Sequence, residues 1–373
     1  MADSPDQVQT LREAFRGRRV LLTGHTGFKG SWLALWLDRL GARVWGYALP
    51  PPTKPSNFEL SGVVGLLQAH READVRDAGT LAAAFAEADP EVVFHLAAQP
   101  LVRESYRTPA ETFEVNVMGT ARVLDAVRLR GKPCAVVVIT TDKCYENREQ
   151  VWGYRECDPM GGHDPYSASK GAAEILVASY RRSFFSPERL SQHGVAVASA
   201  RAGNVIGGGD WSIDRVVTDS VRCLIEKAPV PVRNPRAVRP WQHVLEPLSG
   251  YLLLAARMLA EPSQRWCSGW NLGPRLGDEL PVSELVDRFC KAWGDGAWED
   301  VSDPHQPHEA GILRLSIEKA RVELGWEPRW SVGEAVDRTA RWYREALTRG
   351  ADARQLCMED IAAYEAAMSL PRN

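Results

Sequence analysis

A doubly wound α/β fold, a parallel sheet wrapped by helices with a smaller mixed C-terminal region, is the class this sequence predicts. Three observations lead there. Short apolar runs alternate with longer helical patterns through the first half of the chain, the rhythm of parallel strands joined by crossover helices. Val136-Val137-Val138-Ile139 is apolar at every position, as a strand covered on both faces must be. The first apolar run leads straight into a glycine-rich turn and then a helical pattern.

In chain order the strands fall at residues 19–22, 43–47, 91–96, 135–140 and 195–201, with a further strand region just before Asp74-Val75. Helices occupy 31–40, 78–88, 112–129 and 165–181, and Gly41 closes the first as a C-terminal cap. After Arg201 the rhythm changes to glycine- and proline-rich stretches, Gly207-Gly208-Gly209 and 229–240. A helix at 245–259, a short strand at 270–272, a helix at 282–293 and an irregular stretch up to Ala310 follow. The chain therefore divides into a sheet domain, 14–203 with 235–275 returning to it, and a second region made of 204–234 and 276–373.

Composition narrows the function. Lys plus Arg number 45 against 48 Asp plus Glu, a formal charge of -3, so no overall positive field draws nucleic acid or an anionic membrane. Apolar runs fall far short of the roughly 20 residues that span a bilayer. The acidic, polar start carries no secretory pattern, which points to the cytoplasm. Seven cysteines without short paired spacing read as small thiols in a reducing compartment, not as a disulfide framework or a zinc site. His305 and His308 lack a third ligand at useful spacing, so no metal is expected. Trp152, Trp211, Trp241 and Trp270 fall outside the clearest helical patterns and are candidates to line a pocket.

Thr23-Gly24-His25-Thr26-Gly27-Phe28-Lys29-Gly30 joins the first strand to its helix. Gly24 allows the turn, Gly27 lets the backbone approach a pyrophosphate and Gly30 lets helix and sheet pack closely. The helix N-terminus adds amide N–H groups and partial positive charge. This is the pattern of a Rossmann dinucleotide site, with Thr26, Phe28 and Lys29 sharing its turn. The usual fingerprint has an acid at the end of the second strand. Tyr47, Ala48 and Leu49 stand there, so these residues leave NAD and NADP open. Asp74 and Val75 are candidates for the adenine side, and Leu96, Ala97 and Ala98 end a strand where a dinucleotide would pass close.

Tyr166 and Lys170 stand one helical turn apart and point from one face. A tyrosine titrates at about 10, so a base near neutrality needs a drop of roughly 3 units, about 4 kcal/mol. Positive charge from Lys170 and an oxidised nicotinamide is expected to supply it. Thr140-Thr141-Asp142-Lys143 ends another strand, at the carboxyl edge where such sheets bind ligands. An acid and an amine then flank the crevice.

Together these residues resemble the extended short-chain dehydrogenase/reductases, and within them the nucleotide-sugar 4,6-dehydratases, over nearly the whole chain. The strings Thr141-Asp142-Lys143-Cys144-Tyr145-Glu146-Asn147, Gly161-Gly162-His163-Asp164-Pro165-Tyr166, Arg201-Ala202-Gly203-Asn204 and Arg239-Pro240-Trp241-Gln242-His243 are similar to the CDP-glucose branch in particular. The resemblance implies NAD as cofactor and CDP-glucose as the small-molecule substrate. It also implies an oxidation, elimination and reduction within one sugar ring, giving CDP-4-keto-6-deoxyglucose and water.

In that reading Tyr166 deprotonates the 4-hydroxyl, Thr141 places it and Lys170 holds the nicotinamide ribose beside Thr140. Asp142 and Lys143 serve the loss of water across C5 and C6. Many relatives carry Glu where Lys143 stands, and an ammonium cannot accept a proton. Either Lys143 is partly neutral, or it stabilises the enolate while another group moves the proton. Gln99, Asn204, Asp210, Trp211 and Arg215 are implied on the substrate side. Arg239 is expected at the sugar diphosphate, because a guanidinium matches phosphate oxygens in pairs. Contact through the helices 112–129 and 165–181 is implied as well, giving a homodimer or homotetramer. Two rival readings are a nucleotide-sugar 4-epimerase, against which Asp142-Lys143 discriminates, and a non-catalytic dinucleotide sensor, against which the Thr141, Tyr166 and Lys170 set argues.

Overall fold

Runs of β-branched and small apolar residues form the centre of the molecule. The computed structural model describes residues 6–302 and 313–370. Its strands β1 (Arg19–Thr23), β2 (Arg43–Ala48), β3 (Ala69–Glu72), β4 (Val92–His95), β5 (Cys134–Thr141), β6 (Val195–Ala202) and β7 (Gly269–Leu272) build one parallel sheet in the order 7-6-5-4-1-2-3. Alternation along each strand sorts side chains into two buried layers. Val20, Leu22, Phe94 and Val137 point one way, and Leu21, Val93, Val136 and Val138 the other. The order reverses between β4 and β1, so their carboxyl ends open the crevice where doubly wound sheets take ligands.

The longer helices are α1 (Gln7–Phe15), α2 (Phe28–Arg39), α3 (Ala78–Ala88), α4 (Gly119–Arg130), α5 (Pro165–Ser183), α6 (Val216–Glu226), α7 (Leu245–Ala260), α8 (Val282–Trp293), α9 (Val332–Thr348) and α10 (Ala353–Met368). One face of the sheet carries α3, α4 and α5, packed in that order; the other carries α1, α2, α7 and α10. Beyond the carboxyl edge, α6 packs on α8 and α8 on α9. A pair of short parallel strands, Val230–Val232 and Trp298–Asp300, completes that outer wall.

Several expectations need correcting. The first crossover helix begins at Phe28, not residue 31, because Gly27 in extended conformation caps it. The helix read as 112–129 is interrupted by a π-turn, Glu114–Met118. Its Asn116 turns inward, donating to Gln99 O and to Ser169 Oγ. The last helix does not stay with the outer wall: α10 returns to α2, where Glu365 accepts from Trp36 Nε1 and Arg39 Nε, each at 3.0 Å. Helices α1, α6, α9 and α10 were not anticipated. The stretch near Ala310, with His305 and His308, lies outside the described residues. No described helix is long and apolar enough to cross a membrane.

Candidate active site

The glycine turn sits where close packing requires it. Gly24 has a φ of +76°, and a Cβ there would stand 2.6 Å from the Ala97 amide nitrogen. A Cβ on Gly30 would overlap the Gly24 carbonyl oxygen. Only glycine satisfies both positions. The turn therefore brings β1, β4 and the start of α2 together, with the α2 amides facing a cleft of about 1550 Å³.

Nearly all of the anticipated residues line this one cleft. Gly24, Thr26, Gly27, Phe28, Lys29 and Gly30 form its first edge, with Asp74, Val75, Leu96, Ala97 and Ala98 beside them. Thr140, Thr141, Lys143, Tyr166 and Lys170 form the middle, and Asn204, Asp210, Arg215 and Arg239 the opposite wall. Glycines that admit a close approach, a helix N-terminus and an apolar edge at Ala48, Leu49 and Pro52 suit a dinucleotide. Asp74 carries a constraint of its own: Arg76 holds both its oxygens at 2.7–3.1 Å, which keeps its carboxyl below the usual range.

Asp142 lies just beneath the cleft wall, fully buried. Its Oδ1 accepts from Thr141 Oγ1 at 2.9 Å and from Lys143 Nζ at 3.2 Å, while Oδ2 faces Gly203 and has no hydrogen-bond partner in the protein. Lys143 Nζ also reaches Asn204 Oδ1 at 3.3 Å. The Thr141 hydroxyl is within hydrogen-bonding reach of Tyr166.

Two expected site residues stand elsewhere. Gln99 spends its amide within its own loop, donating to Leu101 O and Thr112 Oγ1 and accepting from Leu101 N, because the chain turns there after β4. Trp211 packs edge-on against Tyr343 at 5.3 Å in the core and does not line the cleft. Of the other tryptophans singled out, Trp241 lines the cleft, Trp270 is fully buried in β7 and Trp152 is exposed.

Burial dominates the electrostatics of the Tyr166 and Lys170 pair. Burial pushes the Tyr166 phenol up to about 12; Asp142 and Asp164 add to the rise, and Thr141 and Arg215 oppose it. Lys170 is itself held down to about 8 by burial, with Glu174 opposing, and its Nζ faces Ile139 O at 3.5 Å. Desolvation is the largest cause in both groups, so the chain's own residues hold the phenol above its ordinary value. Lys29 is held down to about 7 by the same desolvation and then by Arg215, against the pull of Asp142.

Sequence reasoning missed the support underneath. Glu174, four residues after Lys170 on the same helix, accepts from Thr140 Oγ1, from Ser199 Oγ at 2.7 Å and from Arg201 Nη2 at 2.8 Å. This ion pair, with Thr140 and Ser199, locks α5 to β5 and β6. The helical spacing from Lys170 was the available signal.

Residues 20–272 match the NAD dependent epimerase/dehydratase family. A CDP-glucose 4,6-dehydratase of Salmonella typhimurium is 50% identical over 353 residues, 95% of this chain and 98% of that one. The chain belongs to the NAD-dependent epimerase/dehydratase family. A family member from Streptomyces antibioticus, a dTDP-glucose 4,6-dehydratase, is 30% identical over 87% of this chain and 92% of its own. Among solved structures of the family, a dTDP-glucose 4,6-dehydratase of Streptomyces venezuelae with NAD bound has a TM-score of 0.72 at 25% identity, covering 89% of this chain and 98% of that chain. Family membership resolves the choice that the end of the second strand left open: the cofactor is NAD.

Proposed function

We propose that the protein converts CDP-glucose to CDP-4-keto-6-deoxyglucose and water. The observation that carries this reading is the convergence of Thr141, Lys143, Tyr166 and Lys170 on the cleft that also holds the glycine turn, with Asp142 bonded to Thr141 and Lys143 just beneath its wall. Sequence likeness to the Salmonella enzyme supports the choice of nucleotide.

The glycine turn and the α2 N-terminus would hold the pyrophosphate of NAD, Asp74 and Val75 its adenine side, and Lys170 its nicotinamide ribose. Bound there, NAD would supply a hydride acceptor for C4 and, once reduced, a hydride donor for C6. Tyr166 takes the proton of the 4-hydroxyl, which Thr141 places, and later returns a proton to C5. The 4-ketone acidifies the C5 proton. Asp142, which accepts from Thr141 and Lys143 at the cleft wall, serves the transfer of that proton to the 6-hydroxyl, which leaves as water. Lys143, its Nζ set between Asp142 and Asn204, stabilises the enolate and does not act as the base. Arg239, with Asn204 and Arg215 nearby on the opposite wall, binds the diphosphate.

The sheet domain, 14–203 with 235–275, would carry NAD, and 204–234 with the described parts of 276–348, residues 276–302 and 313–348, would cover the sugar nucleotide. The copies would pair through α4, the turns before it and α5. Phe113, Met118, Leu129, Ile175 and Phe184 are large apolar side chains exposed on those elements. All seven cysteines are unpaired, which suits the cytoplasm.

Incubation with NAD and CDP-, dTDP-, GDP- and UDP-hexoses, followed by mass, tests the assignment. Loss of one water from CDP-glucose alone is expected. Inversion at C4 without loss of water makes the protein an epimerase instead, and absence of turnover on every sugar nucleotide makes it a sensor. Gel filtration of Ile175→Glu tests the pairing: the wild type should elute as a dimer or larger and the variant as a monomer.

A further inference from the structure

We propose that Asp219 and Arg233 read the cytosine edge of the substrate, the carboxylate accepting from the exocyclic 4-amino group and the guanidinium donating to N3 or O2. This rests on the nucleotide-sugar reading above and adds the residues that select the base.

The cleft has two ends. The glycine turn, Leu49 and Asp74 form one end and the Tyr166 centre lies between. Past Asn204 and Arg215 the cleft continues along α6 and the strand 230–232, and the nucleoside of a sugar nucleotide must lie there if NAD fills the first end. Val216, Pro231 and Val232 line this far end and offer apolar surface to a flat ring. Asp219, in the first turn of α6, and Arg233, just past the strand, line the same end and supply its polar contacts.

Both side chains are held in place. Arg222 Nη1 donates to Asp219 Oδ1 at 3.0 Å. Arg233 Nη1 donates to Asp214 Oδ1 at 2.9 Å, and the same oxygen takes Arg103 Nη1 at 3.3 Å from across the cleft. The Arg233 charge also reaches Asp219. Burial raises the Asp219 carboxyl, and Arg222 and then Arg233 pull it back.

An acceptor beside a donor suits cytosine in particular. Cytosine presents an amino donor at C4 and acceptors at N3 and O2, whereas uracil and thymine reverse the first two, with a carbonyl acceptor at C4 and an N–H donor at N3 that the guanidinium would meet donor to donor. The Asp219 carboxylate would face that carbonyl lone pair to lone pair. The pair therefore attracts one base and rejects the other two.

Titration calorimetry of CDP and of UDP into the full chain with NAD tests this directly. The wild type should bind CDP about 10- to 100-fold more tightly than UDP, the discrimination of a good base-edge pair. Asp219→Asn should bring the two within about threefold, mainly by weakening CDP, and Asp219→Glu should restore part of the preference. Should Asp219→Asn fail to fold, Arg233→Met carries the same comparison. A wild-type preference left unchanged in Asp219→Asn and Arg233→Met overturns the proposal, as does a wild type with no preference. If CDP-glucose is not dehydrated yet the CDP preference still tracks Asp219, the reaction assigned above fails and the base assignment stands.

Discussion

The two sides of the cleft are built differently. The sheet side places Tyr166, Lys170, Thr141 and Asp142 on the ends of long regular elements, with Glu174 and Arg201 locking α5 to β5 and β6 below. The opposite wall sets Asn204, Asp210, Arg215, Asp219 and Arg233 on short strands, turns and the start of one helix, tied by local ion pairs such as Arg215–Asp210 at 3.1 Å. A rigid sheet edge gives reacting groups fixed positions. Loops let the partner of those groups vary without disturbing the sheet. On this view bond-making belongs to the first side and choice of nucleotide to the second.

The two sides of the cleft should separate most sharply at Tyr166. Tyr166→Phe should lower turnover about 10³-fold, the scale of a lost acid–base group, while CDP affinity stays as it was; ordinary formation of the keto sugar by mass would remove the phenol from the reaction. Lys143→Ala should come next, slowing elimination roughly 100-fold as a lost oxyanion donor does. Exchange of hydrogen at C4 should persist in that variant, and unchanged turnover would show that Lys143 takes no part.

On the opposite wall, Arg239→Ala should act mainly on binding, raising KM about 10- to 100-fold, the worth of hydrogen bonds to a charged group. A fall in kcat with KM unchanged would move Arg239 to the reacting side.

A smaller effect concerns the stability of the sheet side. His95, between Thr23 Oγ1 and Thr120 Oγ1, is lowered to about 3, as are His25 and His243, in each case chiefly by burial. The folded state keeps these rings neutral while the unfolded chain protonates them below about 6.5. Their stability contribution is therefore full above that pH and lost as pH falls from it towards 3. Each ring should cost on the order of 2 kcal/mol at pH 5. Thermal melts between pH 7.5 and 5 should show Tm falling, and His95→Gln should flatten that fall; an equal slope in the variant would place the acid sensitivity elsewhere.

The glycine turn, the paired Tyr166 and Lys170 and the strand ends were legible because each follows a local period or a fixed spacing. Helix α3 was read with its observed bounds for the same reason. Trp211 and Gln99 were misplaced because they sit on irregular chain, where a side chain's direction depends on what packs against it. Trp211 met Tyr343 from α9, and Gln99 met its own turn and Thr112. The Tyr166 phenol shows a related limit: a spacing of four residues reveals a neighbouring charge but not the depth of burial around it.

Periodicity and spacing, which are properties of neighbouring residues, were enough to reveal the alternation of strands and helices, the dinucleotide turn and the pairing of Tyr166 with Lys170. Only the tertiary structure decided that Lys143 leans on Asp142 and Asn204, that Asp142 keeps one oxygen unpartnered, and that Asp219 and Arg233 share one end of the cleft. Those relations join residues far apart in the chain, and they exist only once the sheet has fixed the distances between them.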